Sequence, residues 1–269
     1  KRRAVKGGMW VLGLRFIERG FGVLRLIILA RLLSPSDFGL MGIAMLMMGV
    51  LNTFSQTGFQ AALVQKKEDI REYLDTAWTV NVLRGFVLAL ILFFLAPFAS
   101  RFFNAPEASN VIKVIAVCFI LQGFTNIGVV YFQRDLEFHK DFIYRFSGTI
   151  AGFVASVVFA FLFRNVWALV LGLLAGDFVR MVAGYVIHSY RPSFRYHLYY
   201  LRDLFGFGKW LFLSSILVFL LTQGDDFVVG KLLGVTFLGF YQLAYRISNL
   251  PATEITLSTV SYTHLRAHE

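Results

Sequence analysis

Thr76 to Phe98 reads TAWTVNVLRGFVLALILFFLAPF, and this stretch decides the fold class. Its only charge is Arg84. A helix needs about 20 apolar residues to cross a hydrocarbon core of roughly 30 Å, and this run is long enough. A transmembrane barrel strand would alternate polar and apolar residues over about ten positions, and this run does not. Lipid offers the backbone no water, so such a run closes its hydrogen bonds within a helix.

Working outward, seven further runs of the same kind stand on either side. They are Gly8 to Leu33, Phe38 to Val64, Val111 to Phe132, Phe142 to Phe163, Val166 to Ser189, Trp210 to Leu233, and Phe237 to about Leu257. The expected fold is an all-α integral membrane protein with about eight transmembrane helices. Composition agrees. Hydrophobic residues make up 57% of the 269, charged residues only 16%, and mean hydropathy is +0.66. Soluble domains are about a quarter charged, so an ordinary soluble enzyme, a disordered chain and a secreted module are excluded. The single cysteine, Cys118, rules out an intramolecular disulfide framework and any paired-cysteine metal site.

The net charge is +10. Its basic residues are scattered between apolar runs instead of gathered on one polar face, so no nucleic-acid partner is expected. They do sort by loop. Lys1, Arg2, Arg3 and Lys6 precede the first span. Lys66, Lys67 and Arg71 follow the second, Arg134 and Lys140 the fourth, and Arg191, Arg195, Arg202 and Lys209 the sixth. The opposite loops hold only Arg101 and Arg164 beyond the helix ends. The positive-inside rule then puts the N-terminus in the cytoplasm. Only an alternating eight-span reading produces this split. No signal peptide is expected, because the basic start KRRAVKGG leads into a long span without an A-x-A cleavage site.

A shift of 200 residues aligns the chain with itself. Gly8-Met9-Trp10 meets Gly208-Lys209-Trp210, Arg31-Leu32-Leu33 meets Lys231-Leu232-Leu233, Gly39 meets Gly239, and Ala44 meets Ala244. The seventh and eighth spans thus repeat the first and second, in parallel, as transporter halves often do. The expected organisation is a six-helix lobe over 1–190, an interfacial linker over 191–209, and the first two helices of a second lobe over 210–260, which is truncated there. The polar tail from Ser261 to Glu269, SYTHLRAHE, breaks the pattern and is expected to be a non-native read-through peptide. His264 and His268 within it stand at i, i+4 but lack a third ligand nearby in sequence.

Four segments carry a family resemblance: ARLLSPSDFGLMGIAM (Ala30 to Met45), ALVQKKEDI (Ala62 to Ile70), YFQRDLEFHKDF (Tyr131 to Phe142) and DDFVVGKLLGVTFLGFYQLAYRISNLP (Asp225 to Pro251). In this order the chain resembles Wzx-type polysaccharide exporters, nearest the colanic-acid and teichuronic-acid branch. These belong to the multidrug/oligosaccharidyl-lipid/polysaccharide flippase superfamily. The resemblance implies two six-helix lobes around a central cavity. It also implies flipping of undecaprenyl-diphosphate-linked oligosaccharide across the bacterial inner membrane by alternating access. Polysaccharide polymerase and assembly proteins are its implied partners. Most of the second lobe of that pattern lies outside this chain.

Charges inside spans need a reason, since each costs about 2.5–3.5 kcal/mol at mid-bilayer on insertion scales. Arg15, Glu18, Arg19, Gly22 and Arg25 fall on one stripe of the first span at about 100° per residue. Such a stripe faces protein or water. Glu18 can pair with Arg15, and the excess of arginine suits the oxygens of a diphosphate, which the planar guanidinium binds in bidentate fashion. The lipid II flippases of the superfamily place arginines there too, and alignment on Ala30-Arg31 matches them to Arg19 and Arg25. These two are the expected diphosphate ligands, with Arg15 at the entrance; Arg84, beside Asn81 on one face of the third span, is a further candidate.

Asp177 and Arg180, at i, i+3 in the sixth span, read as an intrahelical pair. Gly172, Gly176 and Gly184 on the same side invite close approach of a neighbouring helix. Asp225 and Asp226 in the seventh span, and Asp177, are candidates for ion coupling; the alternative is that Lys231 or Arg246 neutralises one of the pair. Pro251 would kink the eighth span. Tyr199, Tyr200, Trp10, Trp167 and Trp210 form an interfacial aromatic belt. The basic linker favours anionic lipid.

The chain shows no Gly-rich phosphate loop, no nucleophile beside a base and no metal cluster, so neither a catalytic site nor a cofactor is expected. The rival readings are a drug or small-molecule extruder of the same superfamily, a membrane polymerase or ligase, and a non-transporting assembly protein. A cationic first span repels cationic drugs. The longest external loop, Ala99 to Asn110, is too short for a catalytic domain.

Overall fold

A computed structural model describes residues 20–55, 71–135, 137–195 and 197–248, together with Ile17 and Leu63. All regular structure among them is helical. Helix α1 covers 20–32 and α2 Pro35–Phe54. Helix α3 runs Arg71–Phe102 and α4 Ala108–Gly123. A 3-10 turn, Ile127–Val129, leads into the short α5, Val130–Arg134. Then follow α6 (Phe138–Phe163), α7 (Trp167–Ile187), α8 (Leu198–Leu232) and α9 (235–248).

Helices α2, α3, α6 and α7 are each long and apolar enough to cross a membrane, and α4 with α5 makes a fifth if that bent pair is one span. The chain is therefore an all-α, multi-pass membrane protein. Eight crossings were expected; the described residues give four or five by length and composition. The fourth expected span, Val111 to Phe132, is not one rod. It bends by 66° between α4 and α5. Asn126 makes the bend by accepting a 2.9 Å bond from the Gly128 N–H, which caps the 3-10 turn. Part of the expected linker is helical. The extended stretch after α7 is short, because α8 already begins at Leu198 and runs unbroken through the seventh expected span.

Local chemistry sets the turns. Ser34 and Asp37 form a reciprocal capping box, and Pro35 takes the first helical position, where a missing N–H costs nothing. Gly234, with φ of +88°, turns the chain between α8 and α9 in a conformation that suits glycine alone.

Glycine also sets the packing. Between α6 and α7, a Cβ on Gly148 would lie 2.8 Å from the Gly176 carbonyl oxygen, and one on Gly152 3.0 Å from that of Gly172. The Gly172 and Gly176 surface expected to meet a neighbour thus meets a matching row on α6, completed by buried Ser156. Helices α3 and α4 touch the same way: a Cβ on Gly85 would lie 2.5 Å from the Phe119 oxygen, and one on Gly123 2.8 Å from that of Asn81. Helices α2 and α9 cross reciprocally. A Cβ on Gly39 would collide with the Val235 oxygen, and one on Gly239 with that of Pro35. The main apolar core joins Ile43 and Leu46 of α2, Leu92 of α3, Ile112, Ile115 and Phe119 of α4, Val170 of α7 and Leu238 of α9.

Replacing Gly176 by Leu should therefore force α6 from α7 and lower stability by about 1–3 kcal/mol, the usual cost of overpacking. Gly224→Ala, where nothing stands within 4 Å of the new Cβ, should be neutral or stabilising. Thermal unfolding of the two variants in detergent checks the contrast.

Candidate functional site

Beyond the Gly39–Gly239 crossing, α2, α8 and α9 separate around a cavity of about 660 Å³. Helix α2 contributes Asn52 and Thr53 to its wall, α8 Thr222, Gln223, Asp225 and Asp226, and α9 Tyr241, Gln242, Tyr245 and Arg246. The lining is hydroxyl- and amide-rich, with three charges.

Most of those charges are held in place. Asp225 accepts a hydrogen bond from the Tyr241 hydroxyl and another, at 2.9 Å, from the Asp226 N–H. Asp226, 8% exposed, accepts at 3.2 Å from the Gln242 amide. Adjacent carboxylates on α8 thus bind adjacent residues on α9. Lys231 is not their counter-charge: its ammonium donates to the Phe102 carbonyl at 2.6 Å and lies over that ring. Arg246 lines the same cavity as Asp226.

Arg25 of α1 lines a smaller cavity of about 200 Å³ against α6 and α7, together with Thr149, Asp177 and Arg180. Arg15, Glu18 and Arg19 lie outside the described residues, so of the expected first-span stripe only Arg25 is placed. Asp177 pairs with Arg180 at 3.6 Å, as the spacing foresaw, and accepts from the Gln122 amide at 3.0 Å. The Arg180 Nε, buried over Gly148, has no hydrogen-bond partner. Arg84 sits elsewhere. Its guanidinium donates to Asn52 Oδ1 at 3.0 Å and to Ser55 Oγ at 2.8 Å, tying α3 to the cavity wall on α2.

Sequence reasoning treated Arg246 only as a counter-charge and did not see Asn52, Gln122 or Asn126. Each is a polar residue inside an apolar run, and that was the available signal. Among the described residues no group of three or more His, Cys, Asp or Glu side chains comes together as a metal site.

At the end of the bundle holding the start of α3, a second polar network gathers. Asp75 accepts from the Tyr190 hydroxyl, from the Ser193 N–H at 3.0 Å and from the Ser193 hydroxyl at 2.7 Å. Burial and the bond to that carboxylate push the Tyr190 phenol up. His188 stacks on Tyr131 and accepts the Tyr190 N–H at Nδ1. Burial, then the nearby Lys140 ammonium, hold its imidazole below the ordinary range.

Comparison with known proteins gives a consistent picture. A family model described as "Polysaccharide biosynthesis protein" matches residues 28–264. The lipopolysaccharide biosynthesis protein WzxC of Escherichia coli is 27% identical over 95% of this chain and 52% of its own length. The succinoglycan biosynthesis transport protein ExoT of Rhizobium meliloti is 28% identical over 87% of this chain and 47% of its own. The teichuronic acid biosynthesis protein TuaB of Bacillus subtilis is 22% identical over 74% and 41%. The chain thus spans about half the length of these relatives. No solved structure matches it.

Asp177→Leu should cost about 1.5–3 kcal/mol, the worth of a hydrogen bond to a charged group, because it strands both Gln122 and Arg180. Asp177→Asn, which still accepts a bond, should cost less. Unfolding midpoints measured in one detergent decide the order.

Proposed function

The chain belongs to the polysaccharide biosynthesis protein family, and we propose that it forms the substrate-binding part of a flippase for lipid-linked oligosaccharide in the bacterial inner membrane. The observation that carries this reading is the polar cavity between α2, α8 and α9, where Asn52, Thr222, Gln223, Tyr241, Gln242 and Arg246 gather inside an apolar bundle. Arg25 of α1 borders the smaller cavity against α6 and α7. A charge inside the membrane is costly unless it faces a partner or a polar space. A diphosphate offers oxygens to such arginines, which bind them in bidentate fashion. Relatives named for lipopolysaccharide, succinoglycan and teichuronic acid biosynthesis support a glycan beside that diphosphate. In an undecaprenyl-diphosphate-linked oligosaccharide the two parts occur together.

On this reading the larger cavity holds the diphosphate at Arg246, and Arg25, Arg19 and Arg15 of the first-span stripe bind it on the α1 side. Arg84 positions Asn52 on the wall, away from the phosphates. Asp226 orients Arg246. Asp225 and Asp226 staple α8 to α9, and Asp177 with Arg180 steadies the wall behind Arg25; if the cycle is ion-coupled, these three carboxylates are where the ion binds. The basic loops support a cytoplasmic Asp75 end, beside anionic headgroups and the polymerase and assembly proteins of the same process. The bond-making chemistry belongs to those partners, and this chain moves its substrate without covalent steps. The reciprocal α2–α9 contact, at residues 200 apart, supports two repeat-related lobes that rock against each other.

Arg25→Ala and Arg246→Ala, in the full-length protein that restores surface polysaccharide to an exporter-deficient strain, should each lower export at least roughly tenfold, about 1.4 kcal/mol of lost contact. Lysine at either position should restore part of it, since charge without the planar fork remains. Surface polysaccharide is measured against membrane-inserted protein. Wild-type export by either alanine variant removes the arginine from the site.

A further inference from the structure

Residues 188–195 connect α7 to α8 without helix, yet they are bonded along their length. Asp75, at the start of α3, takes three hydrogen bonds from Tyr190 and Ser193. One turn on, the Thr79 hydroxyl donates to the Arg195 carbonyl at 3.1 Å, and the Trp78 and Phe194 rings meet at 4.8 Å. From the other side, Asn126 donates to the Tyr190 carbonyl at 2.8 Å and to that of Gly184 at 3.3 Å. Asn126 is fully buried at the 66° bend. The Tyr185 hydroxyl donates to the Phe124 carbonyl at 2.7 Å. The bend in the fourth span frees that carbonyl and the Asn126 amide to receive the connection. A flexible linker between two moving bodies needs none of these bonds.

We propose that Asp75 and Asn126 dock residues 188–195 onto the first lobe as a fixed strap, so that α8 and α9 move against the strap's far end and not through it. This rests on the two-lobed flippase reading, which it deepens by locating the pivot. A carboxylate is suited to the task. It accepts bonds from a phenol, a hydroxyl and a backbone N–H at once, and each is stronger for its charge. Because α3 also carries Arg84, bonded to Asn52 and Ser55, the strap and the cavity wall on α2 hang from one helix. Asp75 is thus a positioning residue. It touches no substrate and sets where the second lobe is anchored while the wall is held still.

Two measurements on the full-length protein test the strap. The first is amide hydrogen exchange in detergent. The 190–195 amides of the wild type should exchange at least tenfold more slowly than an unstructured peptide of that sequence. Asp75→Ala should raise their rate at least tenfold and Asp75→Asn less, with α6 and α7 unchanged. Coil-like exchange in the wild type, or an Asp75→Ala rate equal to it, overturns the proposal. The second uses Asp75→Cys with Ser193→Cys in a Cys118→Ala background, closed by a short reversible thiol cross-linker in membrane vesicles. The cross-link should leave flipping of lipid-linked oligosaccharide intact, because it replaces a bond that never opens. Flipping that stops on cross-linking and returns on reduction shows that the strap itself moves, and overturns the proposal. If the wild-type protein flips nothing in these vesicles, the flippase reading fails, and the exchange rates alone decide the strap.

Discussion

Everything in this bundle depends on backbone touching backbone at glycine. In lipid there is no hydrophobic force to draw one apolar helix onto another, so close contact must come from fit. The α6–α7, α3–α4 and α2–α9 pairs all find it where a side chain is missing and a carbonyl fills the place. Such contacts are short-ranged. They hold two helices firmly at one level and leave them free at another. The polar residues then decide what happens at the levels where the helices stand apart.

Those polar residues divide by the kind of partner they find. Asp177 with Gln122, Arg84 with Asn52, and Asp225 with Tyr241 each join two helices, and in each a costly group inside the bilayer has its bonds supplied by the protein. Arg246 lines its cavity together with Asp226 of the neighbouring helix, and Arg25 borders the smaller cavity with Asp177 and Arg180. Inside the bilayer each such charge needs a partner or a polar space.

Much of this was legible in the sequence because lipid permits few choices. A run such as Thr76 to Phe98 has no plausible form but a helix, and the glycine row of α7 announced a close neighbour. The bend after Gly123 was hidden because FTNIG is apolar enough to pass as a continued helix, and only the Asn126 cap reveals the break. The strap was hidden for another reason. Asp75 and Ser193 are 118 residues apart, and neither is unusual at a membrane surface.

The geometry of the α2–α9 seam links its two ends. Gly39 and Gly239 bring the helices to backbone contact near their first turns, and Gln242 still rests its amide against Gly42. At about 1.5 Å per residue, Asn52 stands roughly 20 Å further along α2 than Gly39. Two rods that touch at one level and cross at an angle must separate with distance, so the cavity follows from the contact. Side chains join the backbone at this seam: Val235 and Leu238 pack into the core with Leu40 and Ile43, beside the Gln242 contact with Gly42. The seam is thus tight and apolar at its glycine end, while the polar side chains of the same two helices gather at the Asn52 end, where open space can receive them.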